Sequence, residues 1–186
     1  MKIVLKNARL SFPSLFQTET YNGTDTEKYA ATLLIDKNDP QVATIKDAMK
    51  AVATEKFGNN MPKSLKSCLQ DGDEKEYDGY AGCIAIKATT KRRPVVIDGQ
   101  KTPIIEEDDK IYAGCYVNAS IDLWCMDNQY GKRVLASLNG VQFAADGDAF
   151  GNSSTSALSD FDIMENTSVA SAVSDPFAGD DEDLPF

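Results

Sequence analysis

The sequence predicts a mainly β domain, a partly open antiparallel barrel or a two-sheet sandwich with one main helix and long loops, followed by a disordered acidic tail. Three observations carry this. Short runs of β-branched, aromatic and apolar residues recur between Ile3 and Ala144 with turn residues between them. A single stretch, Gln41 to Phe57, spaces its apolar residues as a helix does. From Asp146 to Phe186 there is no Lys or Arg, and Ser, Asp, Gly and Ala dominate.

The first strand is read over Ile3–Phe12, ended by Pro13, which has no N–H to donate to a ladder. Gln17 to Glu27 is rich in Thr, Asn, Gly and Asp and reads as a loop, and Tyr29–Ile35 is the second strand. Asp39 is placed to cap a helix with Pro40 at its first position. Val42, Ile45, Met49, Val52, Ala53 and Phe57 form its apolar face, and Gly58-Asn59 closes it. Met61 to Tyr80 is polar and reads as a long irregular connection. Cys83–Thr89 is a third strand, Val95–Ile97 a short one, and Ile111–Met126 a long one with Gly114 as a bulge or bend. Arg133–Ala144 is the last strand region, and a brief helix is read over Ala157–Glu165. Residues 1–145 thus form the folded domain and residues 146–186 the tail. Five or six strands with one helix suit an OB-type barrel, but its helix usually falls between the third and fourth strands. Here it falls between the second and third, which predicts an elaborated or permuted barrel.

Charge distribution bounds the function more than total charge does. The chain of 186 residues carries a formal −10, yet all 19 Lys and Arg and 19 of the 29 acids lie at or before Arg133. Residues 1–143 are therefore neutral and residues 144–186 hold the whole −10. Without any His, imidazole catalysis and His-ligated metal sites are excluded. The four cysteines, Cys68, Cys83, Cys115 and Cys125, form no C-x-x-C pair, and Cys115 and Cys125 read as small buried hydrophobes. No signal-like N-terminus and no long apolar run occur, so a soluble, reduced cytoplasmic protein with no membrane association is expected.

The sharpest basic cluster is Lys91-Arg92-Arg93-Pro94, with Lys87 four residues upstream on the preceding strand. Adjacent cations at a strand end suit a phosphate backbone, although a solvated loop paired with Glu106–Asp109 explains them equally. Lys132 and Arg133, after a turn-like run, form a candidate second wall. Strand binding also needs flat rings on which bases stack. Tyr21, Tyr77, Tyr80 and Tyr130 lie in polar, loop-like surroundings and are the better stacking candidates. Phe16 is a further candidate beside Pro13, Phe12 and Tyr112 fit core as well, and Trp124, in an apolar strand, reads as core or barrel wall. The acids between Asp71 and Asp78 match no calcium loop and read as solvated. There is no phosphate-binding glycine loop and no nucleophile elbow, so no enzyme, metal or cofactor is expected.

The chain ends in Asp180-Asp181-Glu182-Asp183-Leu184-Pro185-Phe186, four acids running into an apolar tripeptide. Leu-Pro-Phe suits an apolar pocket on a partner, and the acids suit its basic rim. This tip resembles the acidic C-terminus of bacterial single-stranded DNA-binding proteins. The body, through Lys6-Asn7-Ala8-Arg9-Leu10-Ser11-Phe12-Pro13-Ser14-Leu15-Phe16 and the Tyr29–Lys37 run before a helix, resembles a phage and prophage family of single-stranded DNA-binding proteins. Arg93-Pro94 before a short strand, Ile111-Tyr112-Ala113-Gly114-Cys115-Tyr116-Val117-Asn118 and Leu138-Asn139-Gly140-Val141-Gln142-Phe143 extend the likeness over residues 2–150. The resemblance implies an OB-like fold that binds single-stranded DNA without sequence preference in phage replication or recombination, inside a bacterial host. It implies replication or recombination proteins as partners of the tip, and homodimerisation is left open. Two other classes stand beside it: an acidic interaction protein or DNA mimic without strand contact, and a metal-dependent nuclease built on the loop carboxylates.

Overall fold

The computed structural model describes residues 1–58, 65–129 and 131–151. Tyr130, the acidic tip Asp180–Phe186 and the helix expected over Ala157–Glu165 lie outside the described residues. The strands are β1 Lys2–Ser14, β2 Thr20–Tyr21, β3 Thr24–Asp25, β4 Tyr29–Asp36, β5 Leu69–Asp71, β6 Cys83–Thr90, β7 Val95–Ile97, β8 Tyr116–Asn128 and β9 Gly131–Ala145, with helix α1 at Gln41–Phe57.

Five of these strands make the barrel. β1 lies between β4 and β8, β4 pairs with β6, and β8 pairs with β9, all antiparallel. The ring returns through a short parallel contact of β6 with β9, at Ala88↔Ala136 and Thr89↔Ser137. That edge of β6 is shared, because β5 takes its first half at Ile84–Ile86. The barrel is therefore partly open. Taking only ring strands in chain order, the first sits between the second and fourth and the third meets the fifth, which is the Greek-key OB arrangement. The structure settles the choice between elaboration and permutation. The strand order is unpermuted, and the departure is α1 inserted between the second and third ring strands.

Strand alternation fills the interior. Leu33 and Ile35 of β4, Ile86 and Ala88 of β6, Val117, Ala119, Ile121 and Leu123 of β8, and Val134, Ala136 and Leu138 of β9 all face the core. α1 lies against β8 and β9 and buries Val42, Ile45, Ala48, Met49, Val52 and Ala53. Phe57, expected on that face, is half-buried beneath the Lys132 ammonium, 4.7 Å from its ring centre. Asp39 does serve the helix start, its Oδ1 accepting from Gln41 N–H at 2.8 Å.

Four expected loops or strands differ. Pro13 does not end β1; the register shifts between Ser11 and Ser14 and the strand continues past it. The loop before β4 contains the β2–β3 hairpin, turning at Asn22-Gly23 with both residues at positive φ, as a two-residue hairpin turn requires. The connection after α1 contributes β5. Ile111 to Cys115 is not strand: Gly114 has φ +112°, and a Cβ there would stand 2.1 Å from the Asp148 carbonyl oxygen. The segment after β9 remains packed through Gly151, beyond the boundary read at Ala145.

Candidate nucleic-acid interface

The outward face of the barrel is defined by register. On β4 and β6, Thr32 is opposite Lys87 and Ala30 opposite Thr89. Thr89 is opposite Ser137 of β9, and Leu135, two residues away, is opposite Trp124 of β8. These residues share one face because side chains two apart point the same way. Two recesses lie along it. One, of about 200 Å³, is lined by residues including Phe12, Lys75, Tyr77 and Lys87, and the other, of about 350 Å³, by residues including Lys28, Lys91, Trp124 and Met126.

Phe12 and Tyr77 form the aromatic edge of the first recess, each 55% exposed, with ring centres 5.2 Å apart and nearly perpendicular. Phe12 reaches this position through the β1 irregularity, where its own φ is +46°. A bulky residue in that region is strained, and such strain concentrates at functional sites. Tyr80 lies behind the pair, 5.3 Å from Tyr77 in ring centres, but it is only 3% exposed and donates its hydroxyl to Ser11 Oγ at 3.2 Å. Tyr80, expected to stack on bases, instead supports the rings that can. Its apolar body packs with Leu34 and Ala85 on the outer side of the sheet.

The loop that carries Tyr77 is held from two sides. At one end Lys37 Nζ lies 2.5 Å from Asp71 Oδ1 and 2.5 Å from Asp73 Oδ2, while Asp73 Oδ1 accepts from Gly82 N–H at 2.6 Å. The hydrogen bonds from Lys37 hold both carboxyls below the usual aspartate value and hold the Lys37 ammonium above its own. At the other end Asp78 accepts from Gly151 N–H at 3.1 Å. The 146–151 strap is itself fixed by Arg9, which donates to the Asp148 carbonyl at 2.7 Å and lies 4.3 Å from the Phe150 ring centre.

The expected site residues separate in the structure. Lys87 and Lys91 sit along the groove, and the exposed Tyr21 stands on the hairpin whose neighbour Glu19 reaches Lys87. Arg92 is exposed in the β6–β7 turn, and Arg93 turns toward Phe16, 5.7 Å from its ring centre. Lys132 faces α1 rather than the groove, bonding toward Phe57 and Asp127. Arg133 falls on the groove face by alternation with Leu135. Lys28, Lys75, Phe12 and Trp124 are the groove residues that the sequence reading did not select. Asp71 and Asp73 are engaged by Lys37, and among the described residues no group of three or more acids or cysteines is placed to hold a metal ion. No helix among the described residues is long and apolar enough to cross a membrane.

An OB barrel uses the face of its second and third strands, with the loops after the first and fourth, to hold oligonucleotides. Here those strands are β4 and β6, the first loop carries Glu19 and Tyr21, and the face bears exposed rings bordered by lysines. The fold and groove define an OB protein of the oligonucleotide-binding class. The chain belongs to the family of the ssDNA-binding protein of Enterobacter phage Enc34, whose family model matches residues 1–171. This is a family of binders, not enzymes. The putative protein p50 of Acyrthosiphon pisum secondary endosymbiont phage 1 is 43% identical over 174 residues, which cover 88% of this chain and 94% of that one. The bacteriophage Enc34 single-stranded DNA-binding protein in complex with ssDNA superposes with a TM-score of 0.69 at 27% identity, over 81% of this chain and 89% of that chain. The gp2.5 single-stranded DNA-binding protein of bacteriophage T7 matches at 18% identity with a TM-score of 0.57, covering 92% of this chain and all of that one, a likeness of fold alone.

Proposed function

We propose that the chain binds single-stranded DNA along the outward β4–β6 face, without sequence preference, during phage replication or recombination in the host cytoplasm. The observation that carries this is the exposed Phe12–Tyr77 pair, held at the edge of a recess bordered by Lys75 and Lys87. Every base has a stackable face and every nucleotide a phosphate, so rings beside lysines favour strand over duplex and are tolerant of sequence. The solved Enc34 complex with ssDNA, on the same fold, supports the choice of ligand.

The tail is the second functional element. Its Leu184-Pro185-Phe186 end recruits replication or recombination proteins, and its eight acids beyond Gly151 compete with DNA for the groove lysines when no partner holds them. Tethering keeps that charge at high local concentration. A fluorescence titration compares single and double strands on the full chain and on a chain lacking residues 175–186. Preference for the single strand is expected, with tighter binding at low salt after deletion. Equal affinity for duplex overturns the preference for single strands, and no binding by either chain overturns the strand-binding reading and favours the DNA mimic. Unchanged affinity of the deletion across a salt series overturns the competition alone.

A further inference from the structure

Trp124 is the sole tryptophan of the chain, and the structure does not bury it in the barrel wall. It is 39% exposed on the outward face, and its Nε1–H donates to Ser137 Oγ at 2.9 Å. That bond fixes the indole plane and occupies its one polar group, leaving an oriented apolar ring. Trp124 lies beside Met126 and Leu135 in a recess of about 350 Å³ whose other walls include Lys28 and Lys91. A ring of this size has enough packing area to be retained in the core, and an exposed, hydrogen-bonded placement next to two lysines has a different use.

We propose that this recess is a second base-stacking station, separate from Phe12 and Tyr77, occupied by a nucleobase of the same bound strand. The inference rests on the strand-binding reading above. Continuity carries it. Ala85 and Lys87 line the first recess, Thr89 and Thr90 line the second, and all four belong to β6. Ala85 to Thr90 spans about 17 Å of strand at the usual rise, so the stations are several nucleotides apart rather than alternatives for one base. Lys87 stands within that span, where a backbone joining two stacked bases would run, and Lys91 stands just beyond it. The groove then has aromatic rings at each end and ammonium groups between and beside them.

The test uses the full chain and its own fluorophore. Oligothymidylates of about 4 and about 15 nucleotides, within the range of OB site sizes, are titrated while both labelled-strand anisotropy and tryptophan emission are followed. The longer strand is expected to quench Trp124 at the same stoichiometry at which anisotropy saturates. Trp124→Ala is expected to weaken the longer strand roughly 5- to 100-fold, the range for losing one stacked base, and the short strand much less. Trp124→Phe keeps a ring and is expected to recover most of the loss; equal thermal midpoints for the variants exclude misfolding as the cause. Strand binding with unquenched emission, or Trp124→Ala within twofold of the parent on both lengths, overturns the second station while leaving strand binding intact. Failure of every chain to move the anisotropy overturns the strand-binding reading on which this inference stands.

Discussion

Glu19 places a carboxylate oxygen 2.5 Å from the Nζ of Lys87, in the recess that Phe12 and Tyr77 border. The hairpin backbone fixes Glu19: its N–H donates to the Lys28 carbonyl at 2.7 Å and its carbonyl accepts from Thr26 N–H at 2.9 Å. A phosphate that reaches Lys87 must displace this carboxylate, which then takes up a cation of its own. Glu19→Gln is expected to tighten single-strand binding at low salt by roughly two- to fivefold, the scale of an exposed ion pair. The slope of log affinity against log salt should also steepen by about 0.7, the share of one further phosphate contact on a single strand. In the Glu19→Gln background, Lys87→Ala should weaken binding and flatten the slope by the same amount. A Glu19→Gln chain with the parent's salt dependence would show that Lys87 meets no phosphate.

The two tyrosines of the 77–80 loop should give opposite signatures. Tyr77→Ala removes an exposed ring and is expected to cost about 1–3 kcal/mol of strand binding with little change in the thermal midpoint. Tyr80→Ala empties a buried position behind it, as core truncations do, and should cost about 3 kcal/mol of folding stability. Tyr80→Phe loses only the hydroxyl bond to Ser11 and should retain strand binding. Urea unfolding and anisotropy on the same preparations separate the two roles. Equal losses of stability for Tyr77→Ala and Tyr80→Ala contradict the assignment.

Much of this site could be read from the sequence by parity, and the failures of parity have physical causes. Along β8, Val117, Ala119, Ile121 and Leu123 are buried, so Trp124 shares its face with Asn118, Ser120 and Asp122. Alternation alone places it outward, and only the weight given to tryptophan as a core residue points inward. Phe12 is the reverse case. Ala8 and Leu10 are buried, so period two predicts a buried Phe12, but the irregularity after Ser11 turns the ring out. Bulges are invisible to a pattern of hydrophobicity, because they are set by the opposing strand. Tyr80 is misread for a related reason. Its loop is polar, but Ser11 and Leu34 lie behind it only once β1 and β4 have paired. Lys132 and Arg133 are neighbours in sequence and so necessarily face opposite sides of β9. The neutral body and the helix α1 needed only counting and periodicity.

Gly79 should be intolerant of substitution because of a contact remote in sequence. Its φ is +77°, and a Cβ on it would stand 2.2 Å from Cε1 of Phe150 in the strap. Gly79→Ala therefore meets two costs, the left-handed backbone and the ring. Phe150→Ala removes the ring but also its contact with Arg9. In a double-mutant cycle the pair Gly79→Ala and Phe150→Ala is expected to be less destabilised than the sum of the singles, with about 1 kcal/mol or more remaining from the backbone. Additive losses in thermal unfolding would mean that the strap does not rest on this loop.

The Lys37 link gives the loop a defined pH window. Both carboxyls sit below the ordinary aspartate value of 3.8 in the fold, so their stabilising contribution is full above that value and is lost as pH falls through the lowered one. The Lys37 ammonium sits above its ordinary value of 10.5, so its contribution is full below 10.5 and is lost as pH rises through the raised one. Between these limits the link is intact. Asp73 also accepts from Gly82 N–H, so Asp73→Asn removes one of the two charges that hold Lys37 while leaving an oxygen for that amide. The variant's thermal midpoint is expected to lie below the parent's near neutral pH and to converge with it in acid, as the parent's own carboxyls take up protons. A gap that persists undiminished once the carboxyls are protonated would assign the loss to shape or to the amide bond rather than to the charge on Asp73.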